Sequence, residues 1–198
     1  GRRSNASVEA MRSLADCATC EAGSFCPTGS AEETPCDPGT FTAAPGQGTC
    51  GKCAAGTYQE KSGATTCKNC TKGNYCAEGS SSPLPCPAGR RTDDSLAVMK
   101  TAEDCIPCSP GAFCPTGSAE ETPCSPGTFN NESEASACGP CDAGSYQDEE
   151  GRRACKPCSH VTTPGQYCPS GASAALSCPA GRRSNASVEA MRSLADCA

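Results

Sequence analysis

The sequence predicts small disulfide-rich repeats: an elongated rod of short two-stranded β-hairpin modules, with a short helix in the long loops and little hydrophobic core. Three observations predict it. Cysteine occupies 21 of 198 positions, above the roughly 8–10% at which a short secreted chain reads as a disulfide scaffold. Leu, Ile, Val and Phe together number 14, far below the roughly 20% under which an uncrosslinked chain stays disordered, so covalent bridges must replace the missing core. The third is an element that recurs throughout: cysteine, two residues, glycine, one residue, aromatic. It stands as CEAGSF at Cys20, CDPGTF at Cys36, CAAGTY at Cys53, CTKGNY at Cys70, CSPGAF at Cys108, CSPGTF at Cys124 and CDAGSY at Cys141, and stretched by four residues at Cys158. These eight places hold all four Phe and all four Tyr.

Each element in turn supports a hairpin. The glycine permits a tight or left-handed turn beside the cysteine, and the aromatic covers the bridge. In the plain modules the next cysteine falls fourteen residues on, as in Cys53 to Cys67 and Cys141 to Cys155, and the segment between reads as a polar turn around Gly63 or Gly151. Cys86 and Cys178 open differently, as CPAGRR, with Arg91 and Arg183 at the aromatic position, which Arg3 also occupies. Their closing loops are longer, eighteen residues between Cys86 and Cys105 and between Cys178 and Cys197. Within those loops Ser95–Asp104 and Ser187–Asp196 place apolar residues about three apart, which predicts a helix of two to three turns in each.

The chain is periodic on a larger scale. Residues 1–18 recur verbatim as 181–198, CPTGSAEETPC stands at both Cys26 and Cys114, and CPAGRR at both Cys86 and Cys178. Such self-similarity marks a tandem array. The expected organisation is a tail of a preceding repeat over 1–17, half-repeat A over 18–105, half-repeat B over 106–197, and the start of the next 180-residue repeat over 181–198.

Six CxxC pairs read as junctions, the first cysteine closing one module and the second opening the next. Grouped so, the cysteines fall into even sets: Cys20, Cys26, Cys36 and Cys50; Cys53 and Cys67; Cys70, Cys76, Cys86 and Cys105; then Cys108, Cys114, Cys124 and Cys138; Cys141 and Cys155; Cys158, Cys168, Cys178 and Cys197. The bridges Cys53–Cys67 and Cys141–Cys155 follow directly, each being alone in its set. Cys17 is left unpaired, and by periodicity its partner lies in the copy upstream. The quartet Cys50, Cys53, Cys67 and Cys70 has nearly zinc-ribbon spacing, but the remaining cysteines fit no four-ligand grouping and only His160 could add a nitrogen. No strand-helix-strand pattern surrounds any CxxC, which argues against thioredoxin-like chemistry. No cofactor is expected.

The run of CPxG, aromatic, CxxC and CPTGS-like segments resembles the ephrin-receptor-like cysteine-rich repeat, and two-cysteine units followed by four-cysteine units resemble the disulfide modules of tumour-necrosis-factor-receptor ectodomains and EGF-like domains. The resemblance implies an elongated extracellular rod, with four-cysteine units paired first to third and second to fourth: Cys20–Cys36, Cys26–Cys50, Cys70–Cys86, Cys76–Cys105, Cys108–Cys124, Cys114–Cys138, Cys158–Cys178 and Cys168–Cys197. Sequential pairing, such as Cys70–Cys76 with Cys86–Cys105, stays open, since Cys36 and Cys124 also have a cysteine fourteen residues on.

Function follows from the same features. The cysteine density and the sequons at Asn5, Asn69, Asn131 and Asn185 place the chain outside the cell or at its surface, carrying N-linked and O-linked glycans. Near-identical modules suit self-assembly through tandem repeats; the methionine segments either cover their own module in place of the missing aromatic or offer Met11, Leu96, Met99, Val188 and Met191 as apolar contacts for lateral bundling. The net charge of −6 comes from interleaved acidic and basic residues and argues against a nucleic-acid partner. No apolar run is long enough to span a membrane. No acidic pair, nucleophile with a base, or phosphate loop points to an enzyme. The expected role is a structural subunit of an extracellular filament or appendage, of flagellar-hair or surface-fibre type. The alternative is a cell-surface receptor-like or adhesion stalk that binds a protein partner.

Overall fold

The computed structural model describes residues 1–5, 16–159 and 161–198. It divides into two units, Gly1–Pro85 with Thr92–Cys105, and Cys86–Arg91 with Ile106–Ala198. Each contains five two-stranded antiparallel hairpins. In the first unit Arg2–Ser4 pairs with Cys17–Thr19, Ser24–Phe25 with Thr34–Pro35, Thr40–Phe41 with Gly51–Lys52, Thr57–Tyr58 with Lys68–Asn69, and Asn74–Tyr75 with Leu84–Pro85. In the second, Arg90–Arg91 pairs with Ile106–Pro107, Ala112–Phe113 with Thr122–Pro123, Thr128–Phe129 with Gly139–Pro140, Ser145–Tyr146 with Lys156–Pro157, and Gln166–Tyr167 with Leu176–Ser177.

The strands stay two residues long for a local reason. Six of the returning strands end in proline, at Pro35, Pro85, Pro107, Pro123, Pro140 and Pro157, which has no N–H to extend the ladder. The cysteine that follows donates its N–H to the carbonyl of the preceding opener glycine, as Cys36 does to Gly23, Cys53 to Gly39 and Cys124 to Gly111, each at 2.9 Å. Closing one hairpin thus starts the next. The buried interior consists largely of cysteine, with openers such as Cys20, Cys36, Cys53, Cys108 and Cys141 fully buried, while the aromatics are half-buried beside them.

Twenty cysteines are disulfide-bonded and Cys17 is free. The structure pairs Cys53 with Cys67 and Cys141 with Cys155. Elsewhere it corrects the interlocked pairing. Cys20 bonds Cys26 rather than Cys36, Cys36 bonds Cys50 in place of Cys26–Cys50, and Cys70 bonds Cys76, which excludes both Cys70–Cys86 and Cys76–Cys105. Likewise Cys108–Cys114 and Cys124–Cys138 replace Cys108–Cys124 and Cys114–Cys138, and Cys158–Cys168 and Cys178–Cys197 replace Cys158–Cys178 and Cys168–Cys197. Cys86 and Cys105 are bonded as well.

The physical reason is one shared position. Each supposed four-cysteine unit is two hairpins, because Cys36, Cys86, Cys124 and Cys178 each open a CxxG turn of their own. The residue just after the aromatic, six beyond the opener, is of two kinds. Where it is Cys26, Cys76 or Cys114, or Cys168 after the four-residue insertion, the two bond across a Cα separation of 5.9–6.3 Å. Where it is Thr42, Gln59, Asn130 or Gln147, the side chain is polar and buried, Thr42 Oγ1 standing 3.9 Å from Cys36 Sγ, and the opener bonds a loop cysteine fourteen residues on instead.

The two-to-three-turn helices are also corrected. Within Ser95–Asp104 and Ser187–Asp196 only Ala102–Asp104 and Leu194–Asp196 coil, as single 3₁₀ turns. A longer helix would need the main-chain groups of the methionines for its own ladder. They are engaged elsewhere: Cys76 N–H donates to Met99 O at 3.1 Å, Cys168 N–H to Met191 O at 2.9 Å, and Met191 N–H to Cys158 O at 2.9 Å.

The second turn is held by Asp196, whose carboxylate accepts the N–H groups of Arg192 and Ser193 at 2.7 and 2.8 Å. Those N–H bonds, Ser193 first, hold its carboxyl below the ordinary value. Asp196→Ala is therefore expected to cost about 0.5–1 kcal/mol, as for a lost helix cap on a solvated turn. Because the folded-state value is the depressed one, this contribution is complete above the ordinary carboxylate range and disappears as pH falls through the folded value. Thermal unfolding of wild type and variant at pH 6 and below pH 3 should converge at the lower pH.

Candidate functional site

Among the described residues no three His, Cys, Asp or Glu side chains are grouped as metal ligands. Cys50, Cys53, Cys67 and Cys70, with near-zinc-ribbon spacing, are all disulfide-bonded. His160 and Met11 lie outside the described residues. What the structure builds repeatedly is a joint between successive hairpins.

Three backbone bonds make the joint. The opener glycine N–H donates to the carbonyl just after the next hairpin's aromatic, as Gly23 does to Thr42, Gly39 to Gln59 and Gly127 to Gln147, at 2.7–3.0 Å. The opener cysteine's carbonyl accepts from the next hairpin's loop, as Cys36 does from Gly63, Cys53 from Gly79 and Cys124 from Gly151, at 2.8–2.9 Å. The N–H after the aromatic donates to that same loop, from Thr42 to Ala64, Gln59 to Ser80 and Gln147 to Ala172, at 3.1–3.2 Å. The loop glycines have positive φ, +70° at Gly63 and +76° at Gly79. Glu134 takes that place against Cys108, with φ of 60°, and its carboxylate pairs with Arg90 at 2.5 Å.

Side chains distinguish two kinds of joint. Arg3 and Arg91, at the aromatic position, reach Glu33 and Glu121 in the next hairpin, with Nε to Oε2 distances of 3.9 and 3.7 Å. Each carboxylate is fixed by a main-chain N–H, Glu33 by Glu21 at 3.2 Å and Glu121 by Ser109 at 3.0 Å. Where Tyr58 and Tyr146 replace the arginines, the glutamate position is held by Pro83 and Ala175, and Ala175 and Tyr146 both pack on the cluster of Cys158, Cys168, Ala172, Met191 and Cys197. Glu33 and Glu121 were not evident as functional residues in the sequence. The signal was the CPTGSAEETPC motif following GRR twice.

Exposed ion pairs cross the plain hairpins. Lys68 pairs with Glu60, and Lys156 with Asp148 and Glu149. The hydrogen bonds from the ammonium groups hold Glu60 and Asp148 below the ordinary carboxyl value, and the same bonds raise Lys68 and Lys156.

The residues expected at the surface divide. Asn131 lies exposed in its loop and Asn69 on a returning strand, whereas Asn5 and Asn185 are half-buried. Asn185 Oδ1 accepts the Ser187 N–H at 3.0 Å. Of the apolar contacts, Leu96 is exposed and Val188 half-buried against the cysteine–methionine cluster. Met99 and Met191 are 5% and 0% exposed, so of the two readings of these segments local cover inside their own units holds for these two, and their role as bundling contacts is corrected. Cys17 is half-buried and free.

Residues 127–178 match a family model described as tyrosine-protein kinase ephrin type A/B receptor-like. The tandem disulfide-bonded hairpins fit a cysteine-rich repeat array of that kind. No curated protein matches the chain. Such a module is of receptor-ectodomain type rather than catalytic, and with the disulfides it is consistent with an extracellular or cell-surface location. No helix among the described residues is long and apolar enough to cross a membrane.

Proposed function

We propose that the chain is a structural part of an extracellular filament or appendage, of flagellar-hair or surface-fibre type, built from tandem cysteine-rich repeats and bearing glycans. The observation that carries this reading is the recurrence of one backbone joint from hairpin to hairpin, in a chain whose residues 1–18 and 181–198 are identical. A joint that repeats with the same contacts extends a structure by addition of like parts. Negative-stain imaging of material from the native source tests it. Filaments are expected, and dispersed single particles would end the reading.

The family match favours a second reading, a receptor-like or adhesion stalk that binds a protein partner. A globular domain and a membrane span elsewhere in the same gene would select it.

Under either reading Asn131 and Asn185, with its counterpart Asn5, carry N-glycans, and Asn69 carries less because Cys70 within its sequon is bonded to Cys76. Peptide mass spectrometry before and after enzymatic deglycosylation of secreted protein checks the order. Bare Asn131 and Asn185 would contradict it.

A further inference from the structure

Each of the two methionine segments walls a groove. In the first unit the groove has a volume of about 410 Å³, with Leu96 and Val98 as its apolar wall and Lys72 and Asp94, paired at 2.8 Å, at its rim. In the second, Val188 and Ala190 hold the equivalent places around about 670 Å³. The equivalence extends to the backbone: a Cβ built at Gly56 would stand 2.7 Å from that of Val98, and one at Gly144 2.9 Å from that of Ala190. The cover differs. In the second unit Val161 and Thr162, from the stretched segment after Cys158, line the groove, and Val188 and Ala190 are half-buried. The first unit has no such stretch, and Leu96 and Val98 are 42% and 41% exposed. There the residue before the opener is Asn69, the head of a sequon, where the second unit has Pro157. Asn69 is exposed and is itself part of the groove's lining.

From this we infer that the first saccharide of an N-glycan on Asn69, an N-acetylglucosamine, seats in the groove of the first unit. Its ring face and N-acetyl methyl lie against Leu96 and Val98, and its hydroxyls face Lys72 and Asp94. An apolar wall with a few polar groups at its edge is the make-up of a small-ligand site. The tether begins in the lining, which gives the sugar an effective concentration of about millimolar, so even a weak contact is populated. Inserted chain covers one groove and sugar the other. This inference rests on the glycan-bearing part of the proposed function.

The test uses the full chain with Ser7→Ala, Ser133→Ala and Ser187→Ala, which leaves Asn69 as its one sequon. It is secreted from a eukaryotic cell, and a lectin column parts the molecules that carry sugar from those that do not, with disulfide mapping of both. The sugar-bearing fraction is trimmed by an endoglycosidase to the single asparagine-linked N-acetylglucosamine. Nuclear Overhauser contacts are expected from its N-acetyl methyl to the methyls of Leu96 or Val98, with a thermal midpoint about 2–4 °C above that of the bare fraction. Leu96→Ser should remove most of that shift. Sugar contacts confined to Asn69, or a shift that survives Leu96→Ser unchanged, overturns the inference, as does a secreted parent chain that is bare at Asn69 while Asn131 carries sugar. Sugar at none of the sequons would end the glycan reading itself, and this inference with it.

Discussion

Full reduction without denaturant is expected to unfold both units, giving collapsed amide dispersion in NMR spectra and loss of exchange protection at the joint N–H groups. The interior is largely cysteine, and among the described residues only Met99, Met191, Ala112 and Ala172 join it as buried apolar residues. Burying two methionines supplies a few kcal/mol at most, against roughly 1–2 kcal/mol of backbone entropy for every residue ordered. The bridges reverse that balance by shrinking the unfolded ensemble. In the chain-entropy model each is worth roughly 2.5 kcal/mol at a separation of six residues and about 3 kcal/mol at fourteen, without strict additivity. A chelator should leave the fold intact. Retained dispersion after complete reduction would show that something other than sulfur bridges stabilises the chain. The same material, digested without reduction, should yield peptides joined as Cys20–Cys26 and Cys36–Cys50; recovery of Cys20–Cys36 would contradict the structure.

The hairpins could be read from sequence because their determinants are local. A glycine three residues after a cysteine and an aromatic two further on fix a turn and a cover within six positions, and every such element became a hairpin. The bridges could not be read so directly. Grouping cysteines by their CxxC junctions treats Cys36, Cys124 and Cys178 as interior members of a unit, although each precedes its own glycine. Alignment on the glycine instead places Cys26, Cys76 and Cys114 in the column of Thr42, Gln59 and Gln147, six residues beyond their openers.

The methionine segments failed for a different reason. Leu96, Met99 and Ala102 have helical spacing, but spacing carries no record of what neighbouring hairpins require from the backbone. Met191 supplies both its N–H and its carbonyl to the hairpin opened by Cys158, and tertiary demand overrides a weak local preference. Glu33 and Glu121 were invisible for a related reason. A glutamate in a polar loop looks like solvated surface until the arginine facing it is known.

The other large effect is expected at Gly39. Its φ is +84°, a region that costs an L-residue roughly 1–2 kcal/mol. Space is the greater obstacle. A Cβ built there would stand 2.2 Å from the carbonyl oxygen of Gly79, 3.0 Å from its carbon and 3.4 Å from the carbonyl carbon of Ser80. All three are backbone atoms, and the first belongs to a loop pinned by Gly79 N–H to Cys53 O at 2.8 Å, so nothing flexible can move aside. Gly39→Ala must therefore push apart the hairpins opened by Cys36 and Cys70 and disturb the one between them. Gly29 supplies the control: its φ is +85°, yet nothing lies within 4 Å of its Cβ position. Gly29→Ala should lose only the conformational part, about 1–2 kcal/mol. Gly39→Ala should lose that and a further 1–3 kcal/mol of overpacking, with exchange protection falling at the Cys53 and Gly79 amides. Denaturant unfolding of the two oxidised variants separates the contributions. Equal losses would mean that the close approach of the Gly39 and Gly79 turns does not hold the hairpins opened by Cys36 and Cys70 together.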